Sequence, residues 1–413
     1  MKKLLVLIPD PLSGIIAKGE FQPLYYNPGN FFDEVHIVMT EDDFVEPNQL
    51  QFTVGDASLH IHTLPIQPEN LIQNTFIFRP WLLKPWAEPV LRMVNRFQFK
   101  LLKRWAQGAI ALAKQIQPHI IRCHGNDYNA YAALQIKKEL GIPYIVSLHI
   151  NPDVNSRRRV SSPVTWQDRL FSRLFDEVER AGLLGADLAL PVYEPIISYL
   201  ERMRCTQYEV AYNVLSPHLQ KKVSYDLRAP VRLISVGRHF ELKNPENILR
   251  AVQKISNVHF TLVGDGPLQD NLISLAKELN LGEKVTFSPA VPNPDLCQLL
   301  SDSDIFVIHT EHWEMSKSLL EALLTGLPII LNQREGIGGD PPELLKSDFV
   351  HFVQNTVEGY QHAIMDLISD HAERKRLGRA AYHVAQEKWA PEKTEAKYVE
   401  VYQRIMAKNA QRK

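Results

Sequence analysis

The sequence predicts an α/β protein of two domains, each built on a parallel sheet covered by helices. Three observations predict it. Short apolar runs alternate with longer amphipathic stretches along almost the whole chain, and the 413 residues exceed one ordinary domain. A polar stretch punctuated by Pro217 and Pro230, Ser216–Pro230, separates two sets of such repeats.

In the first set the strands are Lys3–Ile8, Val35–Met39, His119–Arg122, Tyr144–His149 and Leu188–Val192. In the second they are Arg232–Val236, His259–Val263, Lys284–Ser288, Ile305–His309, Pro328–Leu331 and Val350–Val353. Most are near-continuous apolar runs, as a strand buried on both faces requires. Between them the amphipathic stretches Pro245–Ile255, Leu268–Leu279, Leu319–Thr325 and Thr356–Ile368 close on polar residues or glycine, which suit helix ends. The domains expected are therefore residues 1–215 and 216–388, with 389–413 a helix that has no strand after it and packs back on the N-terminal domain. Open parallel sheets bind ligands at the carboxyl ends of their strands, so the chemistry is expected in those loops, along a cleft between the domains.

Composition narrows the function. Lysine and arginine number 46 against 47 acidic residues, so no global charge points to nucleic acid. Cys123, Cys205 and Cys297 are odd in number and scattered with no Cys-x-x-Cys pair, which argues against a disulfide framework or a zinc cage and fits a reducing cytoplasm. No metal-ligating cluster stands out. The apolar run after Lys2 and Lys3 is only about five residues, short for a signal peptide, and none approaches the ~20 needed to cross a bilayer.

Three strand-to-helix loops in the second half carry candidate chemistry. In the first, Gly237 leaves a strand and Arg238 and Lys243 bring two cations to a helix start, an arrangement for a diphosphate; two solvated cations give the same pattern. The second is Gly264-Asp265-Gly266-Pro267, which suits a tight turn beside a ligand or simply a turn. The third runs from His309 to Ala322. With Glu314 at the helix start, the amides of Met315, Ser316, Lys317 and Ser318 can meet phosphate oxygens, and Glu321, seven residues on, can accept from sugar hydroxyls. Glu314 as a first-turn acid and Glu321 as a satisfied buried acid are the plainer readings.

The order Gly237-Arg238…Lys243, Gly264-Asp265-Gly266-Pro267, Glu314…Glu321-Ala322…Gly326-Leu327-Pro328 resembles the retaining glycosyltransferases of family 4, also called group 1, which have the GT-B fold. The resemblance covers most of the C-terminal half and implies two facing Rossmann-like domains with the nucleotide-sugar donor in the second. It implies that Arg238 and Lys243 neutralise the diphosphate, that Glu321 holds the ribose, and that neither a metal nor another cofactor is needed. One departure stands out. The family places seven residues between its two glutamates, which puts the first at position 313, here Trp313, while Glu314 is one residue late. On a formed helix that is a turn of about 100°, so the loop before the helix must adjust for Glu314 to reach the sugar.

In the N-terminal half, His149 closes an apolar strand, and Cys123-His124-Gly125-Asn126-Asp127 leaves another. A histidine there is structural in many proteins, but the resemblance implies a donor-sugar contact and favours His149. Gly14, in the loop after the first strand, is a donor-side candidate, and Lys18-Gly19-Glu20 follows it where an acceptor could approach. Arg157-Arg158-Arg159 suits a phosphate-bearing acceptor or a solvated face. Residues 91–107 gather Arg92, Arg96, Lys100, Lys103 and Arg104 on one side of a helix, which fits a core helix with a charged outer face or peripheral contact with the inner face of an anionic membrane.

The reading that follows is transfer of a sugar from a nucleoside diphosphate-sugar, such as a UDP- or GDP-sugar, to a glycan, lipid-linked or small-molecule hydroxyl, with retention of configuration. Two others stay open: an epimerase of the same fold, with His149 and Glu314 as acid and base, and an inactive donor-binding protein, for which Trp313 speaks.

Overall fold

Twelve strands and their helices form two units in the computed structural model, which describes residues 1–19, 21–67, 79–154, 165–335, 338–345 and 347–411. Arg157-Arg158-Arg159 and Glu20 lie outside the described residues.

The first unit comprises Met1–Ile15, Pro23–Tyr212 and Glu395–Lys413. Its strands are β1 (Lys3–Ile8), β2 (Glu34–Met39), β3 (Ser58–Thr63), β4 (Ile120–His124), β5 (Tyr144–Leu148) and β6 (Leu188–Pro191), paired in parallel in the order β3-β2-β1-β4-β5-β6. The helices are α1 (Leu12–Ala17), α2 (Glu88–Ile116), α3 (Tyr128–Leu140), α4 (Trp166–Gly185) and α5 (Ile197–Arg202). α2 runs for 29 residues because Leu91, Val94, Leu102, Trp105, Ala109 and Ala113 repeat at helical spacing and are buried. Arg92, Arg96, Lys100, Lys103 and Arg104 line its exposed side.

The second unit comprises Ile16–Gln22 and Asn213–Thr394. Strands β7 (Val231–Val236), β8 (Val258–Val263), β9 (Val285–Ser288), β10 (Ile305–Ile308), β11 (Ile329–Asn332) and β12 (His351–Val353) are also all parallel, in the order β12-β11-β10-β7-β8-β9. Its helices are α6 (Glu246–Gln253), α7 (Gln269–Glu278), α8 (Asn293–Asp302), α9 (Lys317–Thr325), α10 (Val357–Ser369) and α11 (His371–Lys388). The polar stretch read as a boundary is docked on this unit: Tyr225 Oη donates to the Gly326 carbonyl at 3.0 Å and Arg374 donates to the Tyr225 carbonyl at 3.2 Å.

Both sheets have the Rossmann order, in which the direction of winding reverses between the first and fourth strands, β1 and β4 in one unit and β7 and β10 in the other. Ligands gather outside the carboxyl ends at such a reversal. The α/β class and the two parallel sheets are as the sequence predicts.

The last helix, α12 (Pro391–Ala410), supplies Tyr398 and Tyr402 to the core of the first unit. They surround Arg122, a fully enclosed guanidinium on β4 that donates to Ser147 Oγ at 3.0 Å and to Tyr402 Oη at 3.4 Å and lies 4.5 Å from the Tyr398 ring centroid. A charge so deep is tolerable because oxygen acceptors and aromatic faces replace its water.

Three expectations are corrected. β3 was not predicted: Ser58–Thr63 alternates histidine with apolar residues and forms the sheet edge, so it lacks a continuous apolar run. Gly14 lies inside α1, not in a loop, and a Cβ there would meet only Pro11 Cγ at 3.7 Å. Its backbone makes no demand for glycine. A cluster suited to a metal also exists, because the pairing of β2 with β3 brings Glu34, His36 and His60 together.

Candidate donor site in the second unit

Loops after β7, β8 and β10 meet at the winding reversal of the second sheet. Two hydrogen bonds from backbone amides fix the first to the third: the Asn244 amide donates to the His309 side chain at Nδ1, 2.9 Å away, and the Glu311 amide donates to the Leu242 carbonyl at 2.8 Å. Asn332, at the end of β11, holds the third loop in turn. It accepts from the Thr310 amide at 2.8 Å and donates to Glu311 Oε1 at 2.7 Å.

This bracing sets Lys243 against Glu314, with Nζ 2.5 Å from Oε1 and both side chains only 16% and 15% exposed. Burial pushes the Glu314 carboxyl up, but Lys243, His312 and Arg334 outweigh it and hold the group below the ordinary glutamate range. Glu314 is therefore held ionised, and an anion entering here meets a lysine already fixed in direction. Arg238, by contrast, is exposed and forms no ion pair among the described residues.

Glu314 is not on a helix. α9 begins at Lys317, with Ser316 as its N-cap in extended conformation and Ser316 Oγ accepting from the Leu319 amide at 3.3 Å. The expected helical spacing between Glu314 and Glu321 is therefore corrected, because the cap at Ser316 leaves residues 313–315 irregular. Trp313 fills the place of the missing glutamate, its ring against the Gly338 backbone. Met315 is buried in the core, and Ser318 Oγ donates to the Val236 carbonyl at 2.9 Å, pinning the start of α9 to the end of β7.

Glu321 is 2% exposed. Its Oε1 accepts from Gln22 Nε2 at 2.9 Å and Asn293 Nδ2 at 3.2 Å, which fixes the carboxyl in one orientation, while burial raises its pKa. The β8 loop comes next to the first. The Gly237 amide donates to the Val263 carbonyl at 3.0 Å, and the His239 amide donates to the Asp265 carbonyl at 2.7 Å. A Cβ on Gly264 would lie 2.1 Å from the Gly237 oxygen, and one on Gly266 2.3 Å from the His239 oxygen, so both glycines are required by close backbone approach. Asp265 and Pro267 are exposed at the tip.

His309, Asn332, Gln22, Asn293 and Arg334 belong to the site but carry no motif that marks them. Asn332 carried a readable sign, a polar residue closing a buried strand. Arg334 is 7% exposed beside Glu311, Glu314, Asp340 and Glu343, and none of its side-chain nitrogens has a hydrogen-bond partner among the described residues.

His149 stands in the first unit just past β5, stacked on His124 with centroids 4.9 Å apart and close to Tyr25. Burial, Arg122 and His149 keep the His124 imidazole well below the usual histidine range, hence neutral.

The loops that build this site fall within one stretch of homology. Residues 224–384 match the family of glycosyl transferases group 1. Among curated proteins, the lipopolysaccharide core biosynthesis glycosyltransferase LpsE of Rhizobium meliloti is 29% identical over 157 residues, 37% of this chain and 44% of the relative. The sulfoquinovosyl transferase SQD2 of Arabidopsis thaliana is 23% identical over 278 residues, 65% of this chain and 53% of the relative. The chain thus spans about half the length of these curated relatives. Among solved structures, a sucrose-phosphate synthase from Thermosynechococcus elongatus superposes with TM-score 0.68 at 16% identity, covering 98% of this chain and 100% of that one. Anabaena HepE in complex with UDP gives TM-score 0.62 at 14% identity, covering 97% and 99%. The architecture is that of GT-B glycosyltransferases, two Rossmann-like units.

Proposed function

We propose that this protein is a retaining glycosyltransferase that moves a sugar from a nucleoside diphosphate-sugar to an acceptor hydroxyl on a glycan or lipid-linked molecule, without a metal ion. The observation that carries the reading is the braced Lys243–Glu314 pair at the winding reversal of the second sheet, inside the stretch that matches group 1 glycosyl transferases. Departure of the diphosphate builds negative charge. A lysine held in place, with Arg238 on the exposed side, stabilises that charge more in the transition state than in the ground state. Glu314 orients Lys243 and meets the transferred sugar, Glu321 receives the ribose hydroxyls, and His149 is the further residue proposed for the reaction. The acceptor proton passes to the leaving diphosphate, so attack on the face of departure needs no protein nucleophile. The UDP in the HepE complex supports a nucleoside diphosphate donor.

Incubation with UDP-, GDP- and ADP-sugars and mixed acceptors tests this. Expected is nucleoside diphosphate release with an acceptor, unchanged by a chelator, and a product whose anomeric configuration matches the donor by NMR. Donor isomerised without release would make the protein an epimerase, and binding without either would make it a donor-binding protein.

The proposed place of action is the cytoplasm, at the inner face of a membrane. The exposed basic side of α2 supports it, as do Trp86, 67% exposed, Met93, 57% exposed, and Phe97, 38% exposed, on and just before that helix. Among the described residues, no helix is long and apolar enough to cross a membrane. The name of LpsE, in lipopolysaccharide core biosynthesis, is in keeping with a lipid-linked acceptor. The protein should float with anionic vesicles at low salt and not with neutral ones; equal flotation with both, or with neither, removes the membrane part of the proposal.

A further inference from the structure

β2 and β3 pair in parallel with His36 directly opposite His60 and Glu34 opposite Ser58. Side chains two apart on a strand share a face, so Glu34 and His36 from one strand and His60 and His62 from the next line one face of the sheet edge. Their ligating atoms converge. His36 Nε2 is 2.9 Å and His60 Nε2 3.7 Å from Glu34 Oε1, and one atom from each of these three residues lies within 4.8 Å of the others. Ligands around a tetrahedral zinc ion at about 2.0–2.1 Å sit roughly 3.3 Å from one another, so small side-chain rotations fit an ion between them.

The neighbours hold the set in that arrangement. Lys3 Nζ lies 3.0 Å from Glu34 Oε2, leaving Oε1 toward the two imidazoles. His62 Nε2 is 3.0 Å from His36 Nδ1, the hydrogen-bonded partner that commonly orients a metal-ligating histidine. The His36 ring stacks on those of His60 and His62 with centroids 4.6 and 5.2 Å apart. The His60 side chain is 46% exposed, which opens the cluster to solvent.

We propose that Glu34, His36 and His60 bind one late first-row divalent cation, zinc by the match of imidazole and carboxylate ligands, and that the ion fastens edge strand β3 to β2. These residues occupy the amino-terminal halves of their strands, at the opposite end from the carboxyl-end loops in which chemistry is expected. The ion is therefore structural, and the proposal stands apart from the transferase reading. His62 acts as a positioning residue that holds His36.

The full chain, stripped with a chelator and titrated with zinc, tests this. Expected are one zinc per chain by mass spectrometry of the metal, a rise in melting temperature, and with cobalt the intense visible bands of a tetrahedral ion. His60→Ala should abolish all three while leaving the melting temperature in chelator unchanged, since that side chain is half exposed. His62→Ala should weaken zinc binding by about tenfold to a hundredfold. Failure to retain stoichiometric zinc overturns the proposal, and so does zinc binding that survives intact in both His36→Ala and His60→Ala.

Discussion

Lys243→Ala is expected to lower the rate of nucleoside diphosphate release by about a hundredfold to a thousandfold, the range for removing one fixed stabiliser of developing negative charge. Lys243 Nζ lies 2.5 Å from Glu314, in a loop held by His309 and by the Glu311 amide. Such bracing matters to rate because the charge need not reorganise when the diphosphate departs. The substitution also leaves Glu314 buried without its main counter-charge, which destabilises the fold in its own right. Adding Glu314→Gln separates the two effects: the double variant should regain stability by denaturant titration while turnover stays low. Turnover within about threefold of the parent in Lys243→Ala would remove the residue from the chemistry.

Gly264→Ala is expected to destabilise the second unit by about 3 kcal/mol or more, by combining backbone strain with a steric clash. Gly264 has φ +128°, and the added Cβ would stand 2.1 Å from the Gly237 oxygen. Neither partner can yield by turning a side chain, because both are backbone. Gly14→Ala is the control, since its helical site has open space; stability should hold or rise by up to about 1 kcal/mol. Equal denaturation midpoints for Gly264→Ala and the parent would contradict the account of the loop pair.

Those loops illustrate what could be read in the chain beforehand. The buried strands were legible because a sheet covered on both faces demands near-continuous apolar runs, as in Leu4–Ile8 or Ile305–Ile308. β3 was not, because an edge strand is free to carry His60 and His62. Lys243 and Glu314 could be named from motif order, but not their pairing: it depends on where α9 starts, and Ser316 sets that start by capping the Leu319 amide. Contacts between distant residues were out of reach for a different reason. Nothing near Glu321 in the chain announces Gln22, 299 residues earlier, and nothing near Asn244 announces that its amide lands on His309.

The short segment Ile16–Gln22 bears on how the molecule could be dissected. The chain leaves the first unit after Ile15, contributes these residues to the second, and returns at Pro23. An excised fragment of residues 213–394 would therefore lack the amide of Gln22, and the carboxyl of Glu321 would keep Asn293 as its partner in that pair of donors. A chimaera that exchanges second units between relatives must transplant this N-terminal stretch together with the C-terminal sequence; a single crossover near residue 213 would pair one protein's Glu321 with another's loop.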